Sequence, residues 1–147
     1  MISYMAARPS RDLRVAAHQQ TTSEWWTRKR GNFDLFVSQL VLKEASAGDA
    51  DAAARRLAYL DGLPLLDLND QSLLLAQKLL TDAAIPAEAE QDALHVAVAA
   101  VHGMDYLLTW NCRHIANATM RSRIGASCTD AGCEAPVICT PEELLED

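Results

Sequence analysis

The chain has 147 residues, half of them apolar, so it is long enough to bury the core of one domain. Its net charge of −7 argues against a protein that coats nucleic acid generally, and its longest apolar runs are far shorter than a transmembrane helix. The opening segment is too short and too uncharged for a signal peptide, which predicts a cytoplasmic protein that does not span a membrane.

Helices and strands are predicted to alternate along the whole chain. The predicted helices cover about residues 12–30, 40–47, 50–60, 70–80, 92–102 and 114–123, and another begins at Pro141. The predicted strands cover residues 34–38, 63–68, 106–109 and 136–140, with a loop over 127–135 before the last one. Ser10, Asp49 and Asn69 are in position to cap three of the helices. This alternation predicts a single three-layer α/β domain over residues 1–147, with a mostly parallel sheet.

The charge is unevenly distributed along this chain. Residues 1–30 carry six basic and two acidic side chains, a balance of +4 that leaves −11 for the remainder. One interpretation is a basic flank that contacts a phosphate backbone, and the other is a solvated helix face. The candidates for phosphate contact are Arg8, Arg11 and Arg14. The adjacent Trp25 and Trp26 suit base stacking or, more commonly, packing.

The most informative stretch runs from Asp92 to Asn111. Apolar residues recur at helical spacing as far as Gly103, which ends the helix, and a short buried strand then begins at Tyr106. Asp92 lies near the start of the helix. Thr109 and Asn111 follow the carboxyl end of the strand, where open α/β sheets place their ligands.

Three segments carry a family resemblance: residues 92–95 (Asp-Ala-Leu-His), residues 107–114 (Leu-Leu-Thr-Trp-Asn-Cys-Arg-His) and residues 38–44 (Ser-Gln-Leu-Val-Leu-Lys-Glu). Together they resemble the PIN-domain family, the metal-dependent nuclease fold of the VapC-type toxins of bacterial toxin–antitoxin pairs. The resemblance implies a three-layer α/β/α domain that hydrolyses RNA phosphodiester bonds with Mg²⁺ or Mn²⁺. It also implies neutralisation by a small antitoxin protein and assembly into a homodimer.

The resemblance assigns roles to individual residues. Glu44 matches the second acid of the family's metal site and Asp92 the third. Thr109 and Asn111 match the polar tip of the strand, where they would position the phosphate or a metal-bound water. His114 occupies the place of the fourth acid; histidine can ligate Mn²⁺ or contact a phosphate, but it supplies no negative charge.

The chain departs from the family at its N-terminus. The family opens with a central strand that ends in an acid, whereas this chain opens within the segment that follows that strand. Either the chain starts downstream of a fuller protein, or its sheet lacks the middle strand. Because the second option leaves backbone groups unpaired on both flanking strands, we favour the first. The missing acid also keeps a second function open, a catalytically impaired PIN-like module that binds RNA or protein.

Several residues have a structural interpretation beside the functional one. Glu44 shares the general side of its helix with Leu40, so it is either a metal ligand or a solvated carboxylate. His95 and His102 are more typical of satisfied core or interface histidines. Four cysteines fit no CxxC pair and are interpreted as structural thiols instead of zinc ligands or disulfides: Cys112, Cys128, Cys133 and Cys139.

Overall fold

The computed structural model describes residues 1–145 and shows a mixed α/β chain with long helices and short strands. Its contacts divide it into two compact units, residues 1–65 with the segment from Pro141, and residues 66–140. No helix within residues 1–145 is both long enough and apolar enough to cross a bilayer.

The first unit contains four α-helices within residues 1–65. They are α1 (Ile2–Ala6), α2 (Leu13–Arg28), α3 (Gln39–Ala45) and α4 (Ala50–Leu60). Its strand β1 (Val37–Ser38) forms a two-stranded sheet with β2 (Leu65–Leu66), which lies at the boundary of the units. The Val37 N–H donates to the Pro64 carbonyl at 3.0 Å. The core buries Val37, Ala45 and Leu60.

Both tryptophans of α2 pack inside this unit. Trp25 is only 3% exposed and lies against Phe33, with ring centroids 5.8 Å apart. Trp26 meets Tyr59 edge to face, and the Arg30 guanidinium stacks over the Trp26 ring at 4.0 Å from its centroid. Packing is therefore the interpretation of the tryptophan pair that is confirmed.

The second unit is built around two adjacent helices, α5 (Asp70–Thr81) and α6 (Glu90–Val101). Strand β3 (Tyr106–Leu108) follows α6, and α7 (Ala118–Asp130) leads to β4 (Val137–Cys139). β3 and β4 pair in parallel, with Leu107 opposite Ile138. The small residues of α6 allow close packing, and its buried side chains share one cluster with those of α5, α7 and β4: Leu75, Leu79, Ala93, Val96, Ala97, Ile124 and Ile138.

Helix starts follow the sequence closely. The Asp49 carboxylate accepts the Ala52 N–H, and Asn69 forms a reciprocal capping box with Ser72. The predicted cap Ser10 is wrong. Asp12 caps α2 by accepting the N–H groups of Arg14 and Val15, and the Ser10 hydroxyl instead accepts the Asp12 N–H.

Three other sequence-based boundaries are wrong. Strands predicted over four to six residues contain two or three, because few residues in each strand have a ladder partner within residues 1–145. The helix predicted over 114–123 begins at Ala118, where Asn117 caps it, and runs to Asp130 through most of the predicted loop. Residues from Pro141 to Leu145 form turns with bonds such as Leu144 N–H to the Pro141 carbonyl, not a regular helix.

Candidate functional site

Asp92 lies in the first turn of α6, in the second unit, and its side chain is half-buried. The neighbouring Ala93 is fully buried against α5, which fixes the rotation of the helix and so the direction of the first turn. At the other end, Gly103 adopts a positive φ of 71°, which favours glycine and ends the helix. The His102 ring Nε2 lies 2.8 Å from the Asp67 carbonyl oxygen, to which it donates a hydrogen bond.

A hydrogen-bonded turn follows β3 in the same unit. The Thr109 hydroxyl oxygen accepts the Asn111 N–H at 3.0 Å. The Asn111 side-chain oxygen accepts the His114 N–H at 3.1 Å, and the Asn111 main-chain carbonyl accepts the Ala116 N–H at 2.8 Å. Thr109 is itself tied to the sheet, because its N–H donates to the Cys139 carbonyl at 2.9 Å. Three predicted site residues, Thr109, Asn111 and His114, therefore belong to one turn.

The bonds within this turn decide which atoms can meet a ligand. Because the Asn111 side-chain oxygen already accepts a hydrogen bond, its NH₂ group is the part best suited to an added partner. The Thr109 oxygen also accepts, and its own hydroxyl hydrogen can donate outward. The turn thus offers donors, which suit phosphate oxygens better than a metal ion.

A short connection joins the helix of Asp92 to the strand that precedes this turn. Only residues 102–105 separate the end of α6 from the start of β3. A strand that runs antiparallel to the preceding helix brings its carboxyl end towards the first turn of that helix, and this is the arrangement that a joint role of Asp92 and the turn requires.

Glu44 belongs to the first unit, in the last turn of α3. Its side chain is exposed, although Leu40 on the same helix is buried. It lies close enough to the Met1 ammonium to favour its charged form, but burial is the larger effect and lowers the pKa of that α-amino group. Glu44 is thus an exposed carboxylate near the α-amino group of the half-buried Met1.

The residues from 1 to 145 contain no group of three or more His, Cys, Asp or Glu side chains arranged to hold a metal ion. Mg²⁺, however, is often held by one or two carboxylates together with substrate phosphates, and it retains several waters. Asp92 fits this weaker kind of site, which a bound phosphate would complete.

The chain matches no family model, no curated protein and no solved structure.

Three of the six basic side chains near the N-terminus are not committed to internal contacts. Arg28 pairs with Glu24 one helical turn away, and Arg30 stacks on Trp26. By contrast, Arg8, Arg11 and Arg14 are all exposed near the start of α2. These are the arginines that the charge distribution singled out for phosphate contact.

Sequence reasoning missed a cavity of about 400 Å³ in the first unit. Its lining includes Arg30, Phe33, Asp34, Phe36, Leu63 and Pro64. Arg30 both lines this cavity and stacks on Trp26, so its side chain is engaged within its own unit, unlike the three arginines upstream.

Proposed function

We propose that this chain is a VapC-like ribonuclease with a three-layer PIN-like domain, which cleaves RNA with Mg²⁺ or Mn²⁺. The hydrogen-bonded turn of Thr109, Asn111 and His114 carries the proposal. It supports phosphate binding because its remaining hydrogen-bonding groups include donors, and Asp92 provides a half-buried carboxylate in the same unit.

Each residue then has a distinct task. The Thr109 hydroxyl and the Asn111 amide donate to phosphate oxygens and fix the orientation of the scissile group. His114 contacts the phosphate from the next turn position. Asp92 would be a ligand of the metal ion, which when bound neutralises phosphoryl charge and lowers the pKa of a bound water. The family resemblance also makes Glu44, in the first unit, a candidate ligand.

The proposed partners follow from the same resemblance and charge. RNA approaches the exposed Arg8, Arg11 and Arg14 through its phosphate backbone. A small antitoxin protein neutralises the nuclease, and the active form is a homodimer in the cytoplasm. Co-expression with the protein encoded next to this gene would test the antitoxin, and sedimentation equilibrium would test the dimer.

A second candidate is a catalytically impaired PIN-like module that binds RNA or protein. It is favoured by the lack of a three-residue metal cluster within residues 1–145. The donor-rich turn needs no metal to bind a phosphate. This module would bind RNA but leave it intact.

Cleavage of a fluorescent RNA in Mn²⁺ separates the two candidates. Asp92→Ala is expected to abolish cleavage that EDTA also abolishes, because it removes the proposed metal ligand of the second unit. Glu90→Ala is the matched control, since Glu90 is an exposed acid in the same helical turn. Circular dichroism checks that both variants fold. Full cleavage by folded Asp92→Ala protein would reject the nuclease, whereas RNA binding without cleavage by the unmodified chain would favour the binding module.

A further inference from the structure

The C-terminus of α7 is a Schellman motif flanked by two cysteines. Gly132 adopts a positive φ of 82° and donates its N–H to the Thr129 carbonyl at 3.0 Å. The Cys133 N–H donates to the Cys128 carbonyl at 2.9 Å. These are the two bonds that define the motif, and side chains at the positions of Cys128 and Cys133 commonly touch in it.

The backbone bond limits how far apart the two cysteines can be. Covalent geometry adds only about 4 Å to that hydrogen bond, so the two Cα atoms lie within about 7 Å of each other. Disulfides have Cα separations of roughly 4.4–6.8 Å. Both side chains also meet the same apolar cluster, Cys128 as a fully buried member and Cys133 as a half-buried neighbour.

We propose that Cys128 and Cys133 are a redox modification site that closes to an intrachain disulfide under hydroperoxide. In the first step, the half-buried Cys133 thiolate attacks a peroxide oxygen, becomes a sulfenic acid and releases water or an alcohol. In the second, the Cys128 sulfur attacks the sulfenic sulfur, the S–S bond forms and water leaves. Overall two thiols lose two electrons and two protons, and one peroxide is reduced.

The order of these steps follows from the environment of each thiol. Burial, with a smaller contribution from Cys133, raises the pKa of Cys128 to about 11. A thiol of this kind is a poor first nucleophile towards peroxide. Cys133 is partly open to solvent, so it meets the oxidant first, and Cys128 resolves it at short range.

The other two cysteines provide internal controls. None of the four cysteines, all within residues 1–145, is in a disulfide; Cys112 is exposed beyond β3, and Cys139 is buried in β4. The inference does not depend on the proposed nuclease function, because neither Cys128 nor Cys133 belongs to the turn after β3.

Peptide mapping after oxidation tests the site. The purified chain is treated with hydrogen peroxide at neutral pH and blocked with N-ethylmaleimide before intact mass analysis. We expect a loss of 2 Da and two blocked thiols instead of four. Digestion at Asp130, which lies between the two cysteines, should leave the two fragments joined until a reductant separates them.

Cys133→Ser is the decisive variant, because its half-buried position allows the substitution without loss of the core. It should eliminate the 2 Da loss, whereas Cys139→Ser should retain it. Cys128 remaining reduced while Cys133 passes to sulfinic acid would overturn the proposal. A disulfide confined to Cys112 between two molecules would also overturn it.

Discussion

Asn111 has two separable tasks at the end of β3. Its side-chain oxygen holds the turn by accepting the His114 N–H, and its amide hydrogens are available for a phosphate. Asn111→Ala should lower the free energy of unfolding by about 1 kcal/mol, since a turn hydrogen bond is lost.

Asn111→Asp retains an acceptor but replaces the donors with a negative charge. We therefore expect Asp to preserve the melting temperature and still weaken RNA binding about tenfold or more, measured by fluorescence anisotropy. Equal RNA binding by Asn111→Asp and the unmodified chain would leave the residue with a structural role only.

Asp82 makes a contact between α5 and α7 depend on pH. Lys78 lies 2.9 Å from its carboxylate, and the buried Ser127 hydroxyl donates to it at 2.8 Å. The hydrogen bond from Lys78 is the main reason that the pKa of Asp82 lies below its ordinary value of 3.8, and Ser127 adds to the shift. A lowered folded-state pKa means that the stabilisation is complete above pH 3.8 and disappears as the pH falls through the lower value.

Asp82→Asn should lower the urea midpoint at pH 7, and the difference in midpoint between the variant and the unmodified chain should shrink in acid. A difference that does not change with pH would contradict this account.

Helix starts could be predicted from sequence because they depend on local chemistry. Asp49 and Asn69 were placed correctly, since an Asx side chain reaches an N–H group two or three residues ahead. The same rule misassigned the start of α2, because Ser10 and Asp12 both satisfy it and only the structure shows that Asp12 reaches the helix.

The end of α7 was missed for another reason. Ser127 and Cys128 carry a loop-like composition, but both are buried, so tertiary packing extends the helix beyond its local signal.

Gly125 within α7 and Gly132 just beyond its end give a matched test of the Schellman motif. Gly132 has a positive φ and Gly125 does not, and an added Cβ would meet no atom within 4 Å at either position. The difference is therefore one of backbone conformation alone. Gly132→Ala should cost about 1 kcal/mol, whereas Gly125→Ala should add about 0.5–1 kcal/mol. Urea denaturation measures both. A stabilising Gly132→Ala would show that the helix end does not require the left-handed residue.

At the scale of the whole molecule, the sequence predicted the order of helices and strands better than their pairing. Each strand segment was found in its predicted place, but within residues 1–145 the strands form two separate pairs instead of one sheet. Strand pairing is non-local, so the sequence of a strand such as residues 106–108 does not identify the strand with which it pairs. The candidate site shows the same division. Local hydrogen bonds join Thr109, Asn111 and His114, so these three residues could be predicted together from the sequence. The position of Asp92 relative to them depends on how α6 packs, and Glu44 belongs to the other unit.

The charge asymmetry of the chain makes RNA binding depend on salt in a predictable way. The total charge of −7 repels RNA, so attraction has to come from the exposed arginines near the start of α2. Each phosphate contact on a single strand contributes about −0.7 to the slope of log K against log salt. Replacing Arg8, Arg11 and Arg14 together with glutamine should therefore reduce the slope by about 2. A double replacement of the exposed Lys43 and Arg123 changes net charge elsewhere and should leave the slope unchanged. If both variants reduced the slope by the same amount per charge, RNA would be responding to overall charge and not to a contact surface at the N-terminus.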